Sequence, residues 1–185
     1  MATTKRIVLL ASGSGSLASA LMSAIPTENF LALISDKDAP VLARARENGV
    51  RDIYLPLTGD RAAWNLELFE LVQSLNPDLV VSVGFMRILE KRFVEEFKVI
   101  NTHPALLPLF PGTHAVRDAL AAGATVTGTT VHWVDEGVDT GAVIKQVQVE
   151  ILPNDDEATL HERIKAVERE LIVETIQAFL QDQLH

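Results

Sequence analysis

The sequence predicts an α/β fold: a doubly wound, mostly parallel, twisted sheet with an antiparallel edge and a long C-terminal helix. Three observations carry that prediction. Short apolar runs alternate with helical-period segments through the first half of the chain. Two longer β-like runs then follow with no helix between them. The last segment, Glu157 to Leu180, has the period of one long helix.

Each element follows from local chemistry. Lys5 to Ala11 contains the continuous run Ile7-Val8-Leu9-Leu10-Ala11 and meets Ser12-Gly13-Ser14-Gly15-Ser16, a buried strand running into a Gly-rich turn. Leu17 to Ala24 reads as a helix broken near Pro26. Phe30 to Ser35 is a second strand, Val41 to Glu47 a second helix, and Ile53 to Leu55 a short third strand. Arg61 to Leu75 is an amphipathic helix that stops before Asn76-Pro77. Leu79 to Val83 is the most β-branched run and the fourth strand. Val99-Ile100 begins a fifth strand that runs into Asn101-Thr102-His103-Pro104. Thr125 to Val134 and Ala142 to Ile151 form the antiparallel pair, joined by Asp135 to Gly141. Glu157 and Asn154 fit a capping box at the start of the last helix.

A chain of 185 residues suits one sizeable domain over residues 1–185, with no repeat, linker or low-complexity tract. Composition excludes several function classes. The net charge of −9 disfavours a general nucleic-acid or membrane surface, while leaving room for one basic contact to an anionic substrate. The absence of cysteine excludes disulfides, a thiol nucleophile and a Cys-based metal site. The five histidines are scattered with no i, i+4 pair, so no metal site is expected. No signal peptide or apolar span is visible, so the expected location is cytoplasmic.

In sheets of this kind ligands bind beyond the carboxyl ends of the strands. That rule selects three stretches. Ser12 to Leu17 offers backbone N–H groups at a helix N-terminus, which suits a phosphate. Gly13-Ser14-Gly15-Ser16-Leu17-Ala18 also fits G-x-G-x-x-A, with Asp36 about 20 residues later, the Rossmann-type dinucleotide fingerprint. The bland reading is a tight strand–helix turn without a ligand. Gly84-Phe85-Met86-Arg87-Ile88-Leu89 suits a wall for a flat aromatic ligand; the bland reading is a core turn with a solvated Arg.

The third stretch is the most informative. Asn101 and His103 share one face of a strand end, placing an amide donor beside an imidazole. That pairing serves a developing oxyanion, where one donor is worth roughly 2.7–4 kcal/mol. The Pro-rich turn Ala105 to Gly112 would hold the ring rigidly. In the acidic loop Asp135 to Gly141, Asp139 is placed to orient the imidazole, whereas Asp135 and Glu136 read as a solvated turn. Asp139-Thr140-Gly141 also spells the aspartic-protease triplet, but the surrounding α/β pattern is wrong for it. On the last helix Glu168 falls about 40° from Ile164, inside the apolar face, so its carboxylate needs a partner. A sugar diol or an internal salt bridge would serve. His132 is open between packing and pocket wall, and His114 reads as a supporting residue.

Taken together, Gly84 to Leu89, Asn101-Thr102-His103-Pro104-Ala105-Leu106-Leu107-Pro108 and the loop ending Asp139-Thr140-Gly141 resemble the folate-dependent phosphoribosylglycinamide formyltransferases of purine synthesis. The resemblance runs from about Ile7 to Leu180. It implies a one-carbon transferase that moves formyl from 10-formyltetrahydrofolate, as co-substrate, to the amine of a glycinamide ribonucleotide. It implies Asn101, His103 and Asp139 as the catalytic set. It implies Gly13, Ser14, Gly15, Ser16, Leu17, Gly84, Met86, Pro104 and Glu168 as ribonucleotide contacts, with Glu168 on the ribose hydroxyls. Arg61, Met86, Arg87, Ile88, Leu89, Asn101, Val138 and Asp139 would meet the folate, Arg61 at its anionic tail. A cis Leu107–Pro108 bond is also implied. The partners expected are small-molecule substrates, with a second copy of the chain allowed for as a homodimer.

The sequence departs from the family at three points. Ser14 and Leu17 stand where many relatives carry Asn, which removes a side-chain amide contact and leaves the backbone. Val116 replaces a second His beyond His114, which weakens the case for a phosphate contact there. Competing functions remain distinct. The tRNA formyltransferase and the formyl-folate deformylase of the same superfamily carry extra domains, for which a chain of this length is expected to have no room. An NAD-dependent oxidoreductase explains the Gly-rich loop and Asp36 but not the Asn101–His103–Asp139 set. A nonenzymatic nucleotide-binding module predicts a phosphate loop that matters and a His103 that does not.

Overall fold

Among the described residues, seven strands in the order β3-β2-β1-β4-β5-β6-β7 are accompanied by six α-helices. The computed structural model describes residues 4–184. The chain divides into two compact units, one ending at Ile100 and the other beginning at Asn101.

In the first unit, β1 (Ile7–Ala11) is buried along its whole length. It pairs in parallel with β2 (Phe30–Ser35) on one side and β4 (Leu79–Ser82) on the other. A strand covered on both faces and both edges must be continuously apolar, which is why no alternation is visible in Ile7-Val8-Leu9-Leu10-Ala11. The third strand, β3 (Asp52–Tyr54), pairs in parallel with β2 and forms an edge of the sheet. Helices α1 (Ser16–Ala24), α2 (Pro40–Glu47) and α3 (Arg61–Leu75) make the crossovers between these strands. The α2 helix opens with Pro40 in its first turn, where a missing N–H costs nothing. The side chain of Asp60 caps α3 by accepting from the Ala62 N–H at 3.0 Å. Its buried face is Trp64, Leu68, Phe69 and Val72.

Two helices are added to the sequence expectation: α4 (Lys91–Glu96) and α5 (Ala115–Ala121). In α4 only Phe93 is buried, so no periodic face exists to read. In α5 the buried residues are Ala115, Val116 and Ala119, small side chains that mark a face weakly. Elsewhere the expected boundaries hold to within one residue, except that β1 begins at Ile7 rather than Lys5.

The fifth strand, β5 (Val99–His103), begins in the first unit and ends in the second. In the second unit β6 (Val126–Trp133) and β7 (Val143–Glu150) pair antiparallel, as expected. The β6 strand is almost wholly buried, whereas β7 is mostly exposed and forms the other edge of the sheet. The last helix, α6 (Glu157–Leu180), packs Leu160 and Ile164 against Val116 and Val149. Its cap differs from the expected Asn154–Glu157 box. Asp156 is the N-cap: its Oδ1 accepts from the Thr159 N–H at 2.8 Å, and Thr159 Oγ1 accepts from the Asp156 N–H at 2.9 Å. Among the described residues no helix is long and apolar enough to cross a membrane.

Candidate active site

In the first unit, the turn after β1 is shaped by Gly15, which sits at φ 78° as the N-cap of α1. A Cβ there would lie 2.3 Å from Val41 Cγ2, so only glycine fits. Val41 N–H in turn donates to Gly13 O at 3.3 Å, which binds α2 to the turn. No side chain caps α1, and its first-turn N–H groups keep the donors an anion would use. Ser14 is exposed, Ser16 half-buried and Leu17 buried, so Leu17 adds packing rather than a polar contact.

The loop 84–89 is braced at five points, the first being Gly84 O, which accepts from the Ser12 N–H at 3.0 Å. Ser12 Oγ accepts from the Met86 N–H at 2.9 Å. Arg87 Nε pairs with Asp36 Oδ2 at 2.6 Å. Arg61 donates from Nη2 to Ile88 O at 2.6 Å while its guanidinium lies 4.8 Å from the Trp64 ring centroid. The Phe85 ring stacks on Trp64 with centroids 6.3 Å apart. Phe85 and Leu89 point into the core, leaving Met86 and Ile88 63% and 67% exposed. Two large apolar side chains held outward on a braced loop offer a surface for a flat ligand. Gly84 sits at φ 76° at the start of the loop.

Asp36 departs from its dinucleotide reading. It is buried and accepts from Ser12 Oγ at 2.5 Å as well as pairing with Arg87. Its side chain has no exposed surface to offer a ribose, so the fingerprint of an NAD site is incomplete.

In the second unit, β5 presents Asn101 and His103 on one face by strand alternation, with Thr102 on the other. The His103 ring is buried and each nitrogen meets an acceptor. Nε2 lies 2.7 Å from Phe110 O, and Nδ1 lies 3.3 Å from Asp139 Oδ2. Since a carbonyl oxygen only accepts, Nε2 carries the hydrogen. The following turn is stitched to the β6–β7 pair. Thr130 Oγ1 donates to Ala105 O at 2.6 Å and accepts from the Leu107 N–H at 3.1 Å. Gln146 Nε2 donates to Leu107 O at 2.8 Å. The Leu107–Pro108 bond is cis, as expected, and Pro104 is half-buried directly after the imidazole.

Asp139 holds its place from a left-handed backbone, φ 54°. Its Oδ2 accepts from the Gly112 N–H at 2.8 Å. Its Oδ1 lies 3.6 Å from His132 Nε2, beyond a hydrogen bond but within reach of charge. Burial pushes this carboxyl up. Against that, His132, the Gly112 N–H and the His103 imidazole hold it below the ordinary carboxylate range. Asp135 braces the loop instead of facing the ring, accepting from the Gly137 N–H at 3.0 Å and from Thr140 Oγ1 at 2.7 Å. Val138 is 49% exposed between them.

His132 is the residue that the sequence reading left undecided. It is buried, with Nδ1 2.8 Å from Trp133 O and Nε2 turned to Asp139. His114 is exposed at the start of α5 and makes no capping bond, so the supporting role expected of it is not seen.

Glu168 is buried on α6, against the Thr102 hydroxyl. It therefore sits on the side of β5 opposite the Asn101–His103 face. Burial raises its carboxyl above the ordinary range; the Thr102 hydroxyl and the charges of Lys165 and Arg169 lower it only in part. Among the described residues no cation lies within ion-pair distance of it, which removes the salt-bridge reading.

A rigid imidazole–carboxylate pair beside a strand-end amide, on a doubly wound sheet, is the chemistry of acyl transfer at nitrogen. The chain belongs to the formyl transferase family: the family's sequence profile, described as Formyl transferase, covers residues 5–176. Among its relatives, the phosphoribosylglycinamide formyltransferase of Mycobacterium tuberculosis strain H37Rv is 46% identical over 180 residues, 94% of this chain and 84% of that protein. The enzyme of the same name from Escherichia coli K12 is 36% identical over 187 residues, 96% of this chain and 88% of that one. The crystal structure of glycinamide ribonucleotide transformylase 1 from Symbiobacterium toebii superimposes with a TM-score of 0.93 at 36% identity, over 98% of this chain and 90% of that one. The chain is thus a formyltransferase of the kind that draws on a folate-derived donor.

Proposed function

We propose that this chain transfers the formyl group of 10-formyltetrahydrofolate to the primary amine of 5'-phosphoribosylglycinamide, with residues 1–185 acting as one domain. The amine nitrogen bonds to the formyl carbon, the carbon–N10 bond breaks, and the amine proton ends on the departing N10. Formylglycinamide ribonucleotide and tetrahydrofolate result, a step of purine synthesis. The observation that carries this reading is the contact of His103 with a carboxylate held ionised by its surroundings.

The residues divide the work as follows. Asn101 and the Nε2–H of His103 stabilise the oxyanion, the formyl oxygen taking the direction that Phe110 O holds in the free protein. Asp139 orients the ring by facing its Nδ1 with a carboxylate oxygen. The turn Gly13-Ser14-Gly15-Ser16-Leu17 takes the phosphate through its N–H groups, and Gly84, Met86 and Pro104 line the ribonucleotide. Met86, Arg87, Ile88, Leu89 and Val138 clasp the pterin, and Arg61 meets the anionic tail. A cytoplasmic location and a homodimer complete the reading.

The direct test is product analysis with both substrates. Formylglycinamide ribonucleotide and tetrahydrofolate are expected in equal amounts. Free formate in their place would move the assignment to hydrolysis of the donor.

Glu168 gives a test of the ribonucleotide contact. A carboxyl whose value is raised on folding costs stability once ionised; that stability is present at low pH and lost as pH rises through the folded value. Glu168→Gln is therefore expected to raise the melting temperature by about 2–4 °C at pH 8, a gain that shrinks toward pH 4. The same change should weaken ribonucleotide binding about 10-fold, because each ribose hydroxyl donates to the carboxylate. Calorimetry across pH and titration with the ribonucleotide read both effects. A lower melting temperature with unaltered binding would contradict the assignment.

A further inference from the structure

We propose that Asp36 is a positioning residue for the formyl donor: it fixes the main chain of loop 84–89 by holding Ser12 and Arg87 together. The inference rests on the reading that this loop meets the folate. The sequence marked Asp36 as part of a dinucleotide fingerprint, and the formyl-transfer chemistry leaves it without a task.

The geometry supplies one. Asp36 follows the end of β2, Ser12 the end of β1, and loop 84–89 begins two residues after β4. The order β2-β1-β4 sets these three ends side by side. The Asp36 side chain has no exposed surface, while that of Arg87 is 31% exposed. Each carboxylate oxygen has one donor, Ser12 Oγ on Oδ1 and Arg87 Nε on Oδ2. The Ser12 hydroxyl spends its hydrogen on Asp36 and so presents a lone pair to the Met86 N–H. Asp36 thereby fixes the direction of that hydroxyl and, through it, the peptide between Phe85 and Met86. Through Arg87 it fixes the next residue. Loop 84–89 lies outside the strands, and beyond its first residue these two links, with Arg61 on Ile88 O, orient its main chain. Ser12 also donates from its N–H to Gly84 O at 3.0 Å, a bond that does not depend on Asp36. Removing the carboxylate should therefore loosen Met86 and Arg87 more than the start of the loop.

The pairing has a second consequence. Arg87 is compensated by a buried carboxylate, so its contribution to the donor is made by its backbone rather than its charge. Freeing it in a variant would add a cation near an anionic tail and mask the effect. The test therefore uses a formyl donor that carries no carboxylate, the primary amide of 10-formyltetrahydropteroic acid, together with Asp36→Asn and Ser12→Ala.

For Asp36→Asn, KM for this donor is expected to rise about 10-fold while kcat falls less than about threefold and the ribonucleotide KM moves less than about threefold. Ser12→Ala, which leaves the Arg87 pair intact, should raise the donor KM about threefold. Hydrogen exchange at the Met86 amide should quicken in both. A donor KM within twofold of the parent for Asp36→Asn overturns the proposal. So does a parallel rise in both substrate KM values with a lower melting temperature, the mark of a merely structural residue. Faster exchange at Met86 with an unmoved donor KM also overturns it, and shows that the loop is braced but does not meet the folate. The parent protein's own formyl transfer tests the underlying reading separately, since its absence would be seen before any variant is compared.

Discussion

Replacing His103 with alanine is expected to lower kcat by about 10²- to 10⁴-fold while changing either substrate affinity by no more than about threefold. The ring is buried at a strand end, pinned by Phe110 O on one nitrogen and Asp139 on the other. It contributes little area to a substrate, so its removal cannot cost much ground-state binding. What is lost is an N–H directed at negative charge that exists only in the tetrahedral state, and such a loss falls on kcat. The cavity left by the ring is polar, lined by Phe110 O and the Asp139 carboxylate, and water can fill it. Steady-state kinetics with each substrate varied in turn make the distinction. A large loss of affinity with normal turnover would assign His103 to binding.

Asp139→Asn is expected to lower kcat by about 10²-fold or more, through the orientation and charge of the ring rather than through contact with the reacting carbon. The variant is well suited to the question because asparagine tolerates the left-handed φ of 54° at this position. The Gly112 N–H keeps an acceptor if the amide oxygen takes the place of Oδ2. Only the charge facing His103 and His132 disappears. The carboxyl is held low in the folded state, so its contribution to stability is present above the ordinary carboxylate range and is lost as pH falls through the folded value. The parent should therefore exceed the variant in stability at neutral pH, and the difference should close on acidification. Equal turnover in parent and variant would contradict the role.

Much of this was legible in the residues. The strands of the first half declare themselves because a doubly covered sheet requires apolar runs, and Ile7 to Ala11 and Leu79 to Ser82 supply them. The paired amide and imidazole were legible because strand alternation alone places residues 101 and 103 on one face. The loop acid Asp139 was legible as a residue type within a Gly-bounded turn. What did not show were features that depend on distant segments meeting. The His132–Asp139 contact joins a strand to the loop that follows it, and nothing local to His132 distinguishes it from a packed core histidine. The task of Asp36 depends on the strand order, which brings Ser12 and Arg87 to it. The cap at α6 falls at Asp156 rather than Asn154 because the helix begins at Glu157, and the side chain directly before it is the one that reaches the Thr159 N–H. The short helices α4 and α5 bury too few large side chains to leave a period.

The central claim is that the strand-end amide and imidazole receive the charge of the reacting carbonyl. A crystal structure of the protein with the ribonucleotide and an unreactive analogue of the tetrahedral adduct measures this directly. The adduct oxygen is expected about 2.7–3.1 Å from Asn101 Nδ2 and from His103 Nε2, with Asp139 still on Nδ1. An oxygen met by neither group, with the imidazole still closed against Phe110 O, would contradict the account.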